Sequence, residues 1–71
     1  MTEKLSLRKR SVTISGHGTS VSLENAFWDV LKDLAESRNI SMNALITEID
    51  KERTGNLSSA IRVYILEHLR R

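Results

Sequence analysis

The side chains that could do chemistry are few in this sequence, and their spacing assembles neither a catalytic nor a metal site. His17 and His68 are the only histidines, and no second ligand is spaced to form a metal-binding pair with either. Ser58 and Ser59 lack a nearby base and orienting acid, so we expect them in the first turn of a helix. No cysteine is present, which excludes a disulfide frame and a thiolate zinc site. We therefore predict no enzyme activity and no cofactor.

Charge is the second feature that bears on function, because it is distributed unevenly along the chain. Residues 1–10 carry four basic and one acidic side chain, residues 11–50 two basic and six acidic, and residues 51–71 five basic and two acidic. Basic ends around an acidic middle are expected of a chain that meets a polyanion. A solvated tail that only keeps the protein soluble explains the basic run RKR at residues 8–10 equally well.

Length and hydropathy bound the class of protein. No apolar run approaches the roughly 20 residues that span a bilayer, and MTEKLSLRKR lacks the apolar stretch of a signal peptide. We therefore expect a cytoplasmic protein with no membrane partner. A chain of 71 residues forms a single domain whose core alone supplies little stability, so we expect an obligate homodimer.

Two short runs with the alternation of β-strands must be positioned by the rest of the chain. RKRSVTI and TSVSL flank the segment SGHG, and their apolar positions change from even to odd numbers. The glycines must therefore supply a turn or a bulge between the runs. Because two short strands make a marginal sheet, we expect a second chain to complete it.

Three helical segments follow these runs. The first begins near Leu23 and ends at Asn39, a residue type that adopts the left-handed conformation after a helix. Ser41 is the expected N-cap of the second helix. The third helix, LSSAIRVYILEHLRR, follows Asn56 and is apolar over most of its circumference, so we expect another subunit to cover it.

The stretch TSVSLENAFWDVLKDLAESRNISMNALITEIDK, residues 19–51, resembles a ribbon-helix-helix DNA-binding domain. The wider stretch 9–69 resembles a bacterial subfamily of small stand-alone ribbon-helix-helix proteins. The resemblance implies a mainly α fold with a short β-ribbon, that is, a β-α-α unit plus a C-terminal third helix, in an intertwined homodimer whose strands pair between copies. We expect a flexible N-terminal arm, residues 1–7, and a single domain, residues 8–71. The residues expected in the dimer core are Val21, Leu23, Phe27, Leu31, Leu34, Leu45, Ile46, Ile49, Ile61, Tyr64 and Ile65.

The resemblance also implies how DNA would be bound. The ribbon enters the major groove and its outer side chains read base edges, while the start of the second helix lies on a phosphate. The residues expected to read bases are Ser20 and Ser22, with Ser11 and Thr13 as auxiliaries. The residues expected on phosphate are Arg8, Lys9, Arg10, Ser41, Met42 and Asn43. Which of the two runs forms the reading ribbon stays open.

Two functions compete at this point. The first is a homodimeric transcriptional regulator, a repressor that binds double-stranded DNA with full or partial sequence specificity. The second is a protein-interaction module, an antitoxin-like or adaptor dimer with DNA binding incidental. The basic arm and the strand-helix-helix order favour the first, whereas the small ribbon side chains and the apolar third helix favour the second. Assembly beyond a dimer is open in both.

Overall fold

The computed structural model describes residues 2–70, which form a two-stranded antiparallel sheet followed by three α-helices. In chain order the elements are a 3-10 turn at Thr2–Leu5, β1 at Leu7–Ile14, β2 at His17–Glu24, α1 at Asn25–Ser37, α2 at Met42–Glu52 and α3 at Leu57–Leu69. The expectation of a mainly α fold with a short ribbon and a third helix is confirmed.

A two-residue turn joins β1 to β2. Ser15 and Gly16 both have positive φ, 51° and 83°, as a type I′ hairpin turn requires. The register runs from the pair Ile14 and His17 at the turn to the pair Leu7 and Glu24 at the open end. A loop of two residues changes the parity of the inward positions, so the turn predicted from the sequence is confirmed.

The two strands of one chain already form a two-stranded sheet. β1 and β2 pair with each other along their whole length in the same chain, and the expectation that a second chain adds to this sheet stays a prediction. The hairpin does not stand alone, because its inner residues Val12, Val21 and Leu23 are buried against the helices. Packing of this kind supplies the support that an isolated two-stranded ribbon lacks. One chain therefore contributes both strands of the ribbon.

Local signals place the connection between α1 and α2. Asn39 has φ 61°, and the N–H of Ile40 donates to the carbonyl of Ala35 at 3.0 Å, which is the bond of a Schellman motif. The hydroxyl of Ser41 then accepts from the N–H of Ala44 at 3.0 Å, so Ser41 is the N-cap of α2. Both predicted boundaries are confirmed, and the tight connection fixes where α2 begins.

The core lies between the inner face of the hairpin and the three helices. Its buried residues are Val12, Val21, Leu23, Leu31, Ala35, Leu45, Ile46, Ile49, Ile61 and Ile65. Phe27, Leu34 and Tyr64 pack against them partly buried. The residues expected in a dimer core thus all lie in or against the core of one chain, and their part in a dimer core stays a prediction.

The N-terminal segment adjoins the start of α1. Asn25 donates through its backbone N–H to the carbonyl of Ser6 at 2.9 Å and through Nδ2 to the carbonyl of Glu3 at 2.6 Å. β1 begins at Leu7, inside the segment expected as a flexible arm. The expected arm, residues 1–7, begins at Met1, and the expected domain, residues 8–71, ends at Arg71. These two terminal residues lie outside the described residues.

Candidate nucleic-acid interface

The ribbon formed by β1 and β2 has two chemically different faces, because successive residues of a strand point to opposite sides. The inner face packs on the helices, whereas the outer face is polar. Directly opposed residues share a face, and the outer pairs are Leu7 with Glu24, Lys9 with Ser22, Ser11 with Ser20 and Thr13 with Gly18. All of these are exposed except Ser22 and Glu24, which are half-buried, and all are polar or glycine except Leu7 at the open end.

The four residues expected to read bases therefore lie together. Ser11 and Thr13 come from β1, and Ser20 and Ser22 come from β2, on the same outer face. Both runs are strands of the same ribbon, and which of them reads DNA stays a prediction. The alternation of polar and apolar residues was visible in each run. The polar residues of the two runs form one surface only because the strands pair with each other.

Both edges of the ribbon are hydrogen-bonded to helix starts. On the β1 edge the N–H of Thr13 donates to Oδ1 of Asn43 in α2 at 3.0 Å. On the β2 edge the hydroxyl of Ser58 in α3 donates to the carbonyl of Ser22 at 2.6 Å. These bonds use backbone groups that point away from the hairpin, and they hold its outer face in a fixed orientation. Sequence reasoning placed Ser58 correctly in a first turn but missed this contact.

The start of α2 lies beside the outer face, because Asn43 contacts Thr13. The N–H groups in the first turn of a helix have no partner within the helix, and the hydroxyl of Ser41 satisfies that of Ala44. The backbone N–H groups of Met42 and Asn43 belong to the same first turn of α2, at the positive end of the helix dipole. Three of the residues expected on phosphate therefore cluster next to the residues expected to read bases.

The basic run at residues 8–10 is divided between the two faces. Lys9 lies on the outer face, whereas Arg10 lies on the inner face with its guanidinium carbon 4.6 Å from the ring centroid of Trp28. Arg10 also donates from Nη2 to Oδ1 of Asn25 at 2.7 Å. Arg8 is exposed and lies opposite Leu23, on the same side as Arg10. The structure thus brings only Lys9 of this run to the outer face, and sequence reasoning missed the contact between Arg10 and Trp28.

An ion pair joins α3 to the open end of the ribbon. Arg62 donates from Nε and Nη2 to the two carboxylate oxygens of Glu24, each at 3.0 Å. The pKa of Glu24 is lowered from its ordinary value, first by a hydrogen bond with its own backbone and then by the bond from Arg62. Arg62 also lies 5.8 Å from the ring centroid of Phe27. The pair orients the start of α1 relative to α3.

A second bidentate pair lies away from the ribbon. Arg38 donates to both carboxylate oxygens of Glu48, at 2.9 and 3.1 Å, and to the hydroxyl of Tyr64 at 3.3 Å. The pKa of Arg38 is raised, first by its hydrogen bond to Glu48. The side chains of Arg38 and Glu48 are about half exposed, so their ion pair adds little to the free energy of unfolding. Its main effect is to orient α1 relative to α2.

The histidines have local surroundings. Nδ1 of His68 lies 3.0 Å from the carbonyl of Tyr64, one helical turn earlier, and His17 is exposed at the hairpin turn. Within residues 2–70, no three His, Cys, Asp or Glu side chains are grouped as a metal ion would need.

In the same part of the chain, no helix combines the length and the hydropathy needed to cross a bilayer.

Comparison with known proteins gives the family. The family model of the ribbon-helix-helix domain matches residues 7–69. The chain therefore belongs to the ribbon-helix-helix family, a family of DNA-binding regulators that act as dimers. The resemblance inferred from residues 19–51 is confirmed.

A solved structure shares the fold. It is that of an uncharacterized protein from Bordetella pertussis Tohama I, which is 29% identical to this chain with a TM-score of 0.82. The match covers 97% of this chain and 60% of that one, so this chain spans about three fifths of the length of that protein. No curated protein matches the chain.

Proposed function

We propose that this chain is a DNA-binding transcriptional repressor that occupies its site with the outer face of the ribbon in the major groove. The observation that carries the proposal is the cross-strand arrangement of the exposed Lys9, Ser11 and Ser20 and the half-buried Ser22 on one outer face. The major groove, about 12 Å wide, admits a two-stranded ribbon. The side chains of Lys9, Ser11 and Ser20 are exposed, so they are available for base edges.

The chemistry of the outer face predicts partial sequence specificity. The hydroxyls of Ser11 and Ser20 can each donate and accept, so they tolerate several base edges. Lys9 adds a donor suited to the O6 and N7 acceptors of guanine. A short ribbon with two hydroxyls and one ammonium at its centre reads fewer bases than one with several amide or guanidinium groups. We therefore expect a preference for guanine-containing sites rather than recognition of a long operator.

Phosphate contacts would come from the start of α2. Met42 and Asn43 present backbone N–H groups at the positive end of the helix dipole, next to the outer-face residue Thr13. A ribbon in the groove would bring this helix start to the groove edge, where the sugar-phosphate backbone lies. Such contacts position the protein and carry no sequence information. They complement the reading surface, which by itself offers a single positive charge.

The test compares two double variants. Ser11→Ala with Ser20→Ala removes the central reading pair, and Ser37→Ala with Thr54→Ala removes two exposed hydroxyls away from the ribbon. Fluorescence anisotropy is measured on a duplex enriched from a random pool and on an unselected duplex. We expect the first variant to lose about 1–3 kcal/mol on the enriched duplex and less on the other. Equal behaviour of the two double variants would reject reading by this face.

A second candidate function has one observation in its favour. Val63, Leu66 and Leu69 of α3 are exposed apolar residues, which suit a protein-interaction module. Salt separates the alternatives, because binding driven by phosphate contacts weakens steeply as salt rises. Wild-type protein that binds no duplex at low salt would leave the interaction module as the better account.

A further inference from the structure

The β1 edge of the ribbon has backbone groups that the hairpin does not use. In an antiparallel pair, residues that exchange hydrogen bonds with the partner strand alternate with residues whose N–H and C=O groups point away from it. The N–H of Asn25 donates to the carbonyl of Ser6 across the open end, at 2.9 Å. The N–H of Thr13 donates outside the ribbon, to Asn43. Even-numbered residues of β1 therefore bond to β2, and odd-numbered residues turn their backbone groups outward.

The outward backbone groups of Leu7, Lys9 and Ser11 are left unpaired by the fold. Asn43 binds the N–H of Thr13 near the turn. In the part of the chain that the structure describes, no group from outside the hairpin bonds to the other three odd-numbered residues of β1. Their side chains are exposed as well. An exposed row of unpaired N–H and C=O groups is a template for a further strand.

Unpaired positive charge lies along the same edge. Lys4, Arg8 and Lys9 are exposed, and the ion pairs within residues 2–70 involve other side chains. Glu3 is the one acidic residue that the sequence places before Glu24. The first turn of α2, which adjoins this edge near the hairpin turn, has no acidic residue. Charge complementarity therefore selects a negatively charged partner for this edge.

Two exposed leucines mark one end of the β1 edge. Leu5 and Leu7 are 78% and 59% exposed, and the other exposed large apolar side chains of the described residues lie on α3. Leu7 lies on the outer face at the open end, and Leu5 precedes it in the 3-10 turn. An apolar side chain at the end of an added strand would shield both leucines from water.

We propose that the β1 edge binds an extended, acidic segment of a partner protein as an added strand. Main-chain hydrogen bonds to Lys9 and Ser11 hold the segment, and its carboxylates pair with Arg8 and Lys9. An apolar side chain of the segment rests against Leu7. The proposal does not rest on DNA binding. It leaves the other edge, along β2, to the strand pairing between copies that the family resemblance implies.

A polypeptide suits this edge better than the backbone of DNA does. Phosphate and sugar oxygens accept hydrogen bonds, so they can pair with the N–H groups of Lys9 and Ser11 but not with the carbonyls of the same residues. An extended peptide presents N–H and C=O groups at the spacing of β1 and satisfies both kinds. Leu5 and Leu7 likewise find no apolar partner on a phosphate. Positive charge alone would suit either partner, whereas the three features together favour the acidic peptide.

The first experiment selects a ligand and reverses one charge. Displayed random peptides of about seven residues are selected on the wild-type protein, and fluorescence anisotropy gives the dissociation constant of the most enriched one. Arg8→Glu is compared with Lys51→Glu, which reverses an exposed charge in the last turn of α2, at the other end of that helix from Asn43. Circular dichroism verifies that both variants keep the wild-type fold. We expect acidic peptides to be enriched, Arg8→Glu to weaken binding about tenfold or more, and Lys51→Glu to leave it within about twofold.

Three results of this experiment contradict the proposal. Selection that enriches no acidic peptide overturns it, and so does a folded Arg8→Glu variant that binds the selected peptide like wild type. Equal weakening by Lys51→Glu would mean that the peptide responds to total charge and not to the β1 edge, which overturns it as well.

The second experiment needs no variant, because it locates the added strand on the wild-type protein. Amide hydrogen exchange is followed by NMR with and without the selected peptide. We expect the peptide to slow exchange at the N–H groups of Lys9 and Ser11 and to leave that of Ser20, which points outward on the β2 edge, unchanged. Slowing at Ser20 instead would place the peptide on β2 and overturn the proposal.

The same measurement identifies other occupants of the β1 edge. Exchange at Lys9 and Ser11 that slows with rising protein concentration, in the absence of peptide, would assign the edge to a second copy of the chain. Slowing by an unselected DNA duplex, with no effect of the peptide, would assign the edge to DNA. Either result overturns the proposal.

Discussion

The inner and outer faces of the ribbon are built from the same two strands and do different work. On the inner face Val12, Val21 and Leu23 are buried, and Arg10 stacks on Trp28. On the outer face Lys9, Ser11 and Ser20 are exposed and do not pack in the core. Neighbouring residues of one strand therefore lie on opposite faces, so the basic run contributes Arg10 to the packed face and Lys9 to the face proposed to meet DNA.

The largest difference between the faces is expected from truncation of an apolar side chain. Leu23→Ala removes a fully buried side chain and should lower the free energy of unfolding by about 2–5 kcal/mol. Ser11→Ala, on the outer face, should change it by less than about 0.5 kcal/mol. Urea unfolding at one fixed protein concentration measures both, because association also changes stability. Comparable losses would mean that the outer face is packed as well.

The basic run provides an intermediate effect. Arg10→Ala removes the stack on Trp28 and the bond to Asn25, so we expect a loss of about 1–2 kcal/mol in unfolding free energy with DNA affinity unchanged. Lys9→Ala should leave stability unchanged and weaken binding to the preferred duplex by about 1–3 kcal/mol. Lys32→Ala, at an exposed lysine of α1, is the control. The reverse pattern would show that Arg10, rather than Lys9, meets DNA.

The smallest effect is expected at the open end of the ribbon, where Glu24 pairs with Arg62. Because the pKa of Glu24 is lowered in the folded state, its contribution is present above the unfolded pKa and is lost as pH falls through the folded pKa. Wild type and Glu24→Gln should therefore differ in urea midpoint near about pH 7 and converge near about pH 3. A difference that does not change with pH would assign the effect to packing instead.

The sequence alone determined the features whose signals are local. Asn39 ends α1 and Ser41 begins α2 through contacts within a few residues, and Gly16 marks the turn between two alternating runs. The family resemblance was visible in residues 19–51 for the same reason, since it rests on strand alternation, helix length and a tight connection. Positions facing the core followed from periodicity, including Leu31, Leu45 and Ile61.

The tertiary structure decided which segments meet. The turn at Ser15 and Gly16 brings β1 back along β2 in the same chain, but it does not determine what covers the hairpin. The inner face of the hairpin is buried by its packing on the helices. The bond between Thr13 and Asn43 and the bond between Ser58 and Ser22 follow from that packing, because each joins residues far apart along the chain. The packing also decides that Arg10, and not its neighbour Lys9, faces the helices.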